Sequence, residues 1–205
     1  MDQALYCSTL AANVKVFDDD KITSRPQVIN PLVHSNTSDM HQLRYSSTFT
    51  GEESFLNDHK IQGQKILPGV AYFEMARVVV QQALPSENSN FQLHLKKLSW
   101  VRPFAFEQGK AIHMTVYSEQ TPENEVCFEA YSEIEESEEQ VHFEATVVMG
   151  SQIKPVIQDL KQLKELMQGG ELDPERLYDT FAEMGLNFGE MHKGITSITL
   201  GENQL

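Results

Sequence analysis

The residues best suited to chemistry lie in one string, His59-Lys-Ile-Gln-Gly63-Gln-Lys-Ile-Leu67-Pro68-Gly69, an H-x-x-x-G-x-x-x-x-P pattern. An imidazole titrates near neutral pH, so His59 is the candidate general base, able to take a weakly acidic proton from carbon. An isolated histidine is more often a satisfied structural residue, but its setting in this motif reverses that preference. Gly63 allows the loop to turn back close to a bound molecule, and Pro68 fixes the approach to the helix. At the helix start, the N–H groups of Gly69 and Val70 could hold an oxygen as it gains negative charge. Leu67 and Tyr72 suit either a pocket wall or the core. Glu74, a charged residue on an apolar helix, calls for a partner. The remaining histidines, at positions 34, 41, 94, 113, 142 and 192, have no comparable context and read as surface or strand residues.

The elements that must position these groups are legible around them. From Gly69 to Leu84 the apolar residues Val70, Ala71, Phe73, Met75, Ala76, Val78, Val79 and Val80 crowd most faces of one helix, which should therefore be buried. Pro68 precedes it and Pro85 follows it, both at positions where a missing N–H costs little. Upstream, Val28, Ile29, Leu32 and Val33 are interrupted by Pro31, as at an edge strand, and RYSSTFT from Arg44 to Thr50 alternates like a strand. Four strand-like runs follow the helix: Phe91 to Phe106, Lys110 to Glu119, Glu125 to Glu135 and Gln140 to Met149. In the last, His142, Glu144 and Thr146 alternate with Val141, Phe143, Ala145 and Val147, which predicts that the first set faces water. Beyond Gly150 the texture changes to an amphipathic stretch from Leu160 to Met167, a helix from Asp173 to Met184 and a strand-like run from Gly194 to Leu200.

The chain of 205 residues has apolar content of 40%, enough for one core without metals or disulfides. Its formal charge of −14, from 30 acidic and 16 basic residues, disfavours nucleic acid or an anionic membrane as partner. Cys7 and Cys127 fit no metal-spacing pattern and read as buried or idle thiols of a reducing cytosol. The start shows neither a leader nor a spanning segment, so a cytoplasmic protein is expected.

The longer string FTGEESFLNDHKIQGQKILPGVAYFEMA resembles dehydratase domains of modular polyketide synthases, in the style of assembly lines whose acyltransferases act in trans. The resemblance implies an α+β hotdog fold, an antiparallel sheet wrapped around one central helix. It also implies removal of water from a (3R)-β-hydroxyacyl thioester on an acyl carrier protein, with His59 as base and no metal or redox cofactor. The acyl chain and its phosphopantetheine arm would run through an apolar tunnel involving Gly63, Leu67, Pro68, Gly69, Val70 and Tyr72. Neighbouring synthase domains would be further partners, and a homodimer is an option. Lys60, Lys65 and Arg77 could offset the repulsion between this acidic chain and an acidic carrier.

In this family the proton donor is an aspartate of a D-x-x-x-Q or D-x-x-x-H motif in a second, fused hotdog. Asp159, Asp173 and Asp179 each lack the fourth-following partner. The tail LYDTFAEMGLNFGEMHKGI resembles the opening of that second hotdog, which carries G-x-x-Y-G-P-x-F, and this places Phe188 and Gly189 at the substrate. Tyr178, Gly185 and Gly189 match, whereas Phe188 stands for tyrosine, Glu190 for proline and His192 for phenylalanine. The implied organisation is a leading segment or linker at 1–25, a first hotdog at 26–150, a connector at 151–172 and the beginning of a second hotdog at 173–205. Such a piece alone should be inactive. Stand-alone fatty-acid dehydratases instead use a glutamate placed like Glu74, across a homodimer. Related domains shift double bonds or close cyclic ethers, and a degenerate scaffold is the non-enzymatic option.

Overall fold

The computed structural model describes residues 28–84, 92–118, 125–135, 138–150 and 156–201. The leading segment at 1–25, Cys7, Pro85 and the first part of the connector lie outside them. Strands β1 (Ser35–Asn36) and β2 (Arg44–Thr48) precede a short helix α1 (Ser54–Asn57) and two brief strands, β3 (His59–Ile61) and β4 (Gln64–Lys65). Helix α2 (Ala71–Ala83) leads into β5 (Gln92–Trp100), β6 (Ala111–Tyr117), β7 (Glu125–Glu135) and β8 (Glu138–Gly150). The remainder comprises α3 (Leu160–Leu166), β9 (Gly170–Leu172), α4 (Pro174–Glu183), β10 (Leu186–Phe188), a 3₁₀ turn (Glu190–His192) and β11 (Ile198–Leu200).

Six strands form one antiparallel sheet in the order β1-β2-β6-β7-β8-β5. Its inner face holds Tyr45, Ile112, Met114, Phe128, Ala130, Phe143, Ala145 and Val147, which join Tyr72, Met75, Ala76, Val79 and Val80 of α2 in one core. A helix apolar on most sides is stable only where something covers each side, and a curved sheet does this. Arg77, Gln81 and Gln82 form its exposed strip. Among the described residues no helix is long and apolar enough to cross a membrane.

The expectation that His142 faces water is corrected by the sheet register. Ala130 pairs with Phe143 and Tyr131 with Val141, so His142 is the extra residue of a β-bulge. The bulge breaks the alternation and turns both His142 and Phe143 inward, each fully buried. His142 Nδ1 donates to the Arg102 carbonyl at 3.1 Å and Nε2 lies 2.9 Å from Ser132 Oγ. His113 is also buried rather than a surface residue, with Nδ1 2.8 Å from Ser46 Oγ.

Burial holds the His142 imidazole below its ordinary pKa of 6.5. Below that value the unfolded chain takes up a proton that the folded one resists, so this stabilisation is complete above 6.5 and is lost as pH falls toward the depressed folded value. The melting temperature is therefore expected to drop between neutrality and mild acid. His142→Gln, scanned by calorimetry across the same pH range, should flatten part of that drop.

Candidate active site

His59 sits on a hairpin. Lys60 pairs with Lys65 and Ile61 with Gln64, leaving Gln62 and Gly63 as the connecting residues, at φ 50° and 81°. Two central residues with positive φ make the turn whose twist matches paired strands, and glycine adopts this conformation without strain. A Cβ on Gly63 would meet no protein atom within 4 Å, and the glycine suits the positive φ of the turn. Gly63 is exposed at the hairpin tip.

The hairpin orients the imidazole. Ile66 N–H donates to the His59 carbonyl at 3.1 Å, and the His59 Nδ1 lies 2.8 Å from the Ile66 carbonyl oxygen. A carbonyl only accepts, so Nδ1 carries the hydrogen and Nε2 keeps its lone pair. Partial burial lowers the pKa, the Ile66 bond works against this, and the charge of His192 lowers it further. The ring is thus neutral at physiological pH, with Nε2 able to accept a proton.

After Ile66 the chain is held by Leu67 N–H to the Phe104 carbonyl (3.0 Å), turns at buried Pro68 and enters α2, where Ala71 N–H donates to the Pro68 carbonyl (2.9 Å). The N–H groups of Gly69 and Val70 have no hydrogen-bond partner among the described residues. Trp100, which sequence reasoning did not single out, packs here: its indole N–H donates to the Gly69 carbonyl at 3.2 Å. A Cβ on Gly69 would lie 2.8 Å from that nitrogen, so the indole requires glycine. Val70 is exposed, whereas Leu67 and Tyr72 are core residues, Tyr72 stacked on Phe143 at 5.0 Å. The Tyr72 hydroxyl is buried without a partner among the described residues.

The second wall comes from far along the chain. Strand β10 pairs antiparallel with β3, with Phe188 opposite His59 and Leu186 opposite Ile61. Gln62 N–H donates to the Gly185 carbonyl (2.7 Å), Gly189 N–H to the Asp58 carbonyl (2.8 Å) and Met191 N–H to Asp58 Oδ2 (2.9 Å). Any Cβ on Gly189 would overlap the Asp58 side chain, which explains that glycine. His59, Phe188 and His192 form a ring cluster, with His59 centroids 5.7 Å from Phe188 and 5.3 Å from His192. Phe181 of α4 meets the edge of Phe188 at 5.7 Å, and Tyr178 accepts from Ile195 N–H at 3.0 Å, tying helix to turn. Asp58 and His192 thus join the site. The only sequence signal for His192 was its departure from the tail pattern.

Glu74 is paired on its own helix. Its carboxylate takes two 2.6 Å bonds from Arg77 and one of 3.1 Å from Asn30, and the Arg77 hydrogen bonds hold its pKa below the usual value. The partner that a charge on this helix demands is therefore Arg77. Among the described residues no group of three or more His, Cys, Asp or Glu is placed to hold a metal ion.

A family model described as the polyketide synthase dehydratase domain matches residues 30–133. Polyketide synthase PksM of Bacillus subtilis is 36% identical over 189 residues, covering 90% of this chain and 4% of that protein. PksL of the same organism is 35% identical over 187 residues, again 90% of this chain and 4% of the relative. The chain therefore spans a small part of these curated relatives. A solved trans-AT polyketide synthase dehydratase domain from Brevibacillus brevis superposes with a TM-score of 0.79 at 37% identity, covering 86% of this chain and 66% of that one. The dehydratase domain from the CurF module of curacin polyketide synthase shares the hotdog fold, at a TM-score of 0.73 and 18% identity over 84% of this chain and 62% of that one.

Proposed function

The chain belongs to the polyketide synthase dehydratase domain family, and on that premise we propose that it removes water from a (3R)-β-hydroxyacyl group carried as a thioester on an acyl carrier protein. The observation that carries this reading is the His59 tautomer, with Nδ1 bound to the Ile66 carbonyl and Nε2 left free to accept a proton. Nε2 takes the α-proton, and electron density moves toward the thioester oxygen. The unpartnered N–H groups of Gly69 and Val70, at the positive end of α2, are suited to receive that charge. The Cβ–O bond then breaks with protonation of the departing hydroxyl. Leu67, Pro68 and Tyr72 back this region from the core, and Phe188 offers the acyl chain an apolar face beside the base. Exposed Gly63 acts through the hairpin. No resident metal or redox group takes part in this scheme, since phosphopantetheine arrives with the carrier.

For the proton donor, a carboxylate kept ionised by Arg77 has no proton to give, which counts against Glu74. We assign the acid to an aspartate of a second hotdog whose opening strand is β10, and expect residues 1–205 alone to be inactive. The test uses the full chain, meaning the polypeptide continued past Leu205 through the second hotdog, with a β-hydroxyacyl carrier protein, followed by intact-protein mass. Loss of one water is expected. Glu74→Gln should stay within about threefold of wild type, whereas a fall on the order of 10²-fold would make Glu74 the acid. No dehydration by the full wild-type chain would sink the assignment. Phe188 and Glu190, which replace the tail pattern's residues, are the support for a second reading, a catalytically degenerate dehydratase-like scaffold. That reading predicts neither loss of water nor α-deuterium uptake from heavy water by the full chain.

A further inference from the structure

Two imidazoles share this site. The His59 and His192 ring centroids are 5.3 Å apart with planes inclined by 51°, and Phe188 touches both rings, at 5.7 and 6.3 Å. The turn that carries His192 is anchored to the residue just before the base. Asp58 accepts Gly189 N–H at its carbonyl and Met191 N–H at its carboxylate, and the His192 N–H closes the turn onto the Gly189 carbonyl at 2.9 Å. The turn that carries His192 is therefore held beside His59 by two backbone bonds and one to the Asp58 carboxylate.

We propose that His192 is a positioning residue of this active site, packing against the His59 ring beside Phe188. This rests on His59 being the base. Asp58 and Lys60 flank His59 on its own segment, Lys65 lies on the facing strand, and Glu190 and Lys193 flank His192 on the turn. Of these neighbours, His192 is the group whose charge acts on His59. Positive charge at the His192 position opposes a second one on His59 at this distance, which adds to burial in lowering the His59 pKa. Phenylalanine at position 192 would preserve a ring of similar size without the charge.

The experiment compares the full wild-type chain with His192→Phe and His192→Ala, by the pH profile of kcat/KM and by NMR titration of the His59 ring. In His192→Phe both the acid limb and the ring titration are expected to move to higher pH. In His192→Ala the high-pH rate should also fall by about tenfold, because the base loses a packing neighbour. Superimposable His59 titrations in wild type and His192→Phe would overturn the electrostatic role, and an alanine variant as fast as wild type would overturn the packing role. Dehydration that survives His59→Ala would overturn the base assignment instead. The ring titration needs no turnover, so the two failures remain distinguishable.

Discussion

His59→Ala is expected to lower the dehydration rate of the full chain by about 10²–10⁴-fold, the usual contribution of a positioned general base. The ring makes one hydrogen bond, to the Ile66 carbonyl, worth about 0.5–1.5 kcal/mol, so the variant should stay folded and the loss should be chemical. Circular dichroism and the melting temperature check the first point, and intact-mass kinetics the second. In the wild type, kcat/KM should fall as pH drops, since protonation fills the Nε2 lone pair. That acid limb should lie below the ordinary imidazole value of 6.5, because partial burial disfavours the charged ring. A limb above 6.5, or one unchanged in His59→Ala, would mean that another group carries the proton.

Phe143→Ala should be the most damaging core substitution near the site. Phe143 is fully buried and meets four rings: Tyr72 at 5.0 Å, Trp100 at 5.4 Å, and Phe73 and Phe128 each at 6.1 Å. Truncating such a side chain costs about 3–5 kcal/mol, against total stabilities of about 5–15 kcal/mol for a domain. Three of the four rings surround the start of α2, so the cavity also loosens the support of Trp100, whose indole bonds the Gly69 carbonyl. The denaturation midpoint in urea should fall accordingly. A loss below about 1 kcal/mol would show that neighbouring rings collapse into the space.

Much of the architecture could be read locally. Helix α2 was legible because its apolar residues fall on nearly every face, and β7 because its run is long and bounded by polar turns. The hairpin of β3 and β4 was not, since strands of three and two residues are too short to show a period. Gly63 stands at the turn of that hairpin with positive φ, a backbone requirement that residue type alone suggests but only the pairing of β3 with β4 locates. His142 defeated the alternation rule because a bulge is a property of two paired strands, and nothing in the β8 sequence announces it.

By itself, the sequence determined that a histidine of suitable chemistry stands ahead of a helix that must be buried, and that glycines lie at both walls of the site. These follow from residue type and short spacing, which act through local geometry and hydrophobic burial. Only the tertiary structure decided which nitrogen of His59 is free, that Glu74 is occupied by Arg77, and that His192 lies beside the base. The physical reason is that each of these depends on a contact in three dimensions. Strand β10 reaches β3 through backbone hydrogen bonds that carry no residue signature, so their partner cannot be read from either segment alone.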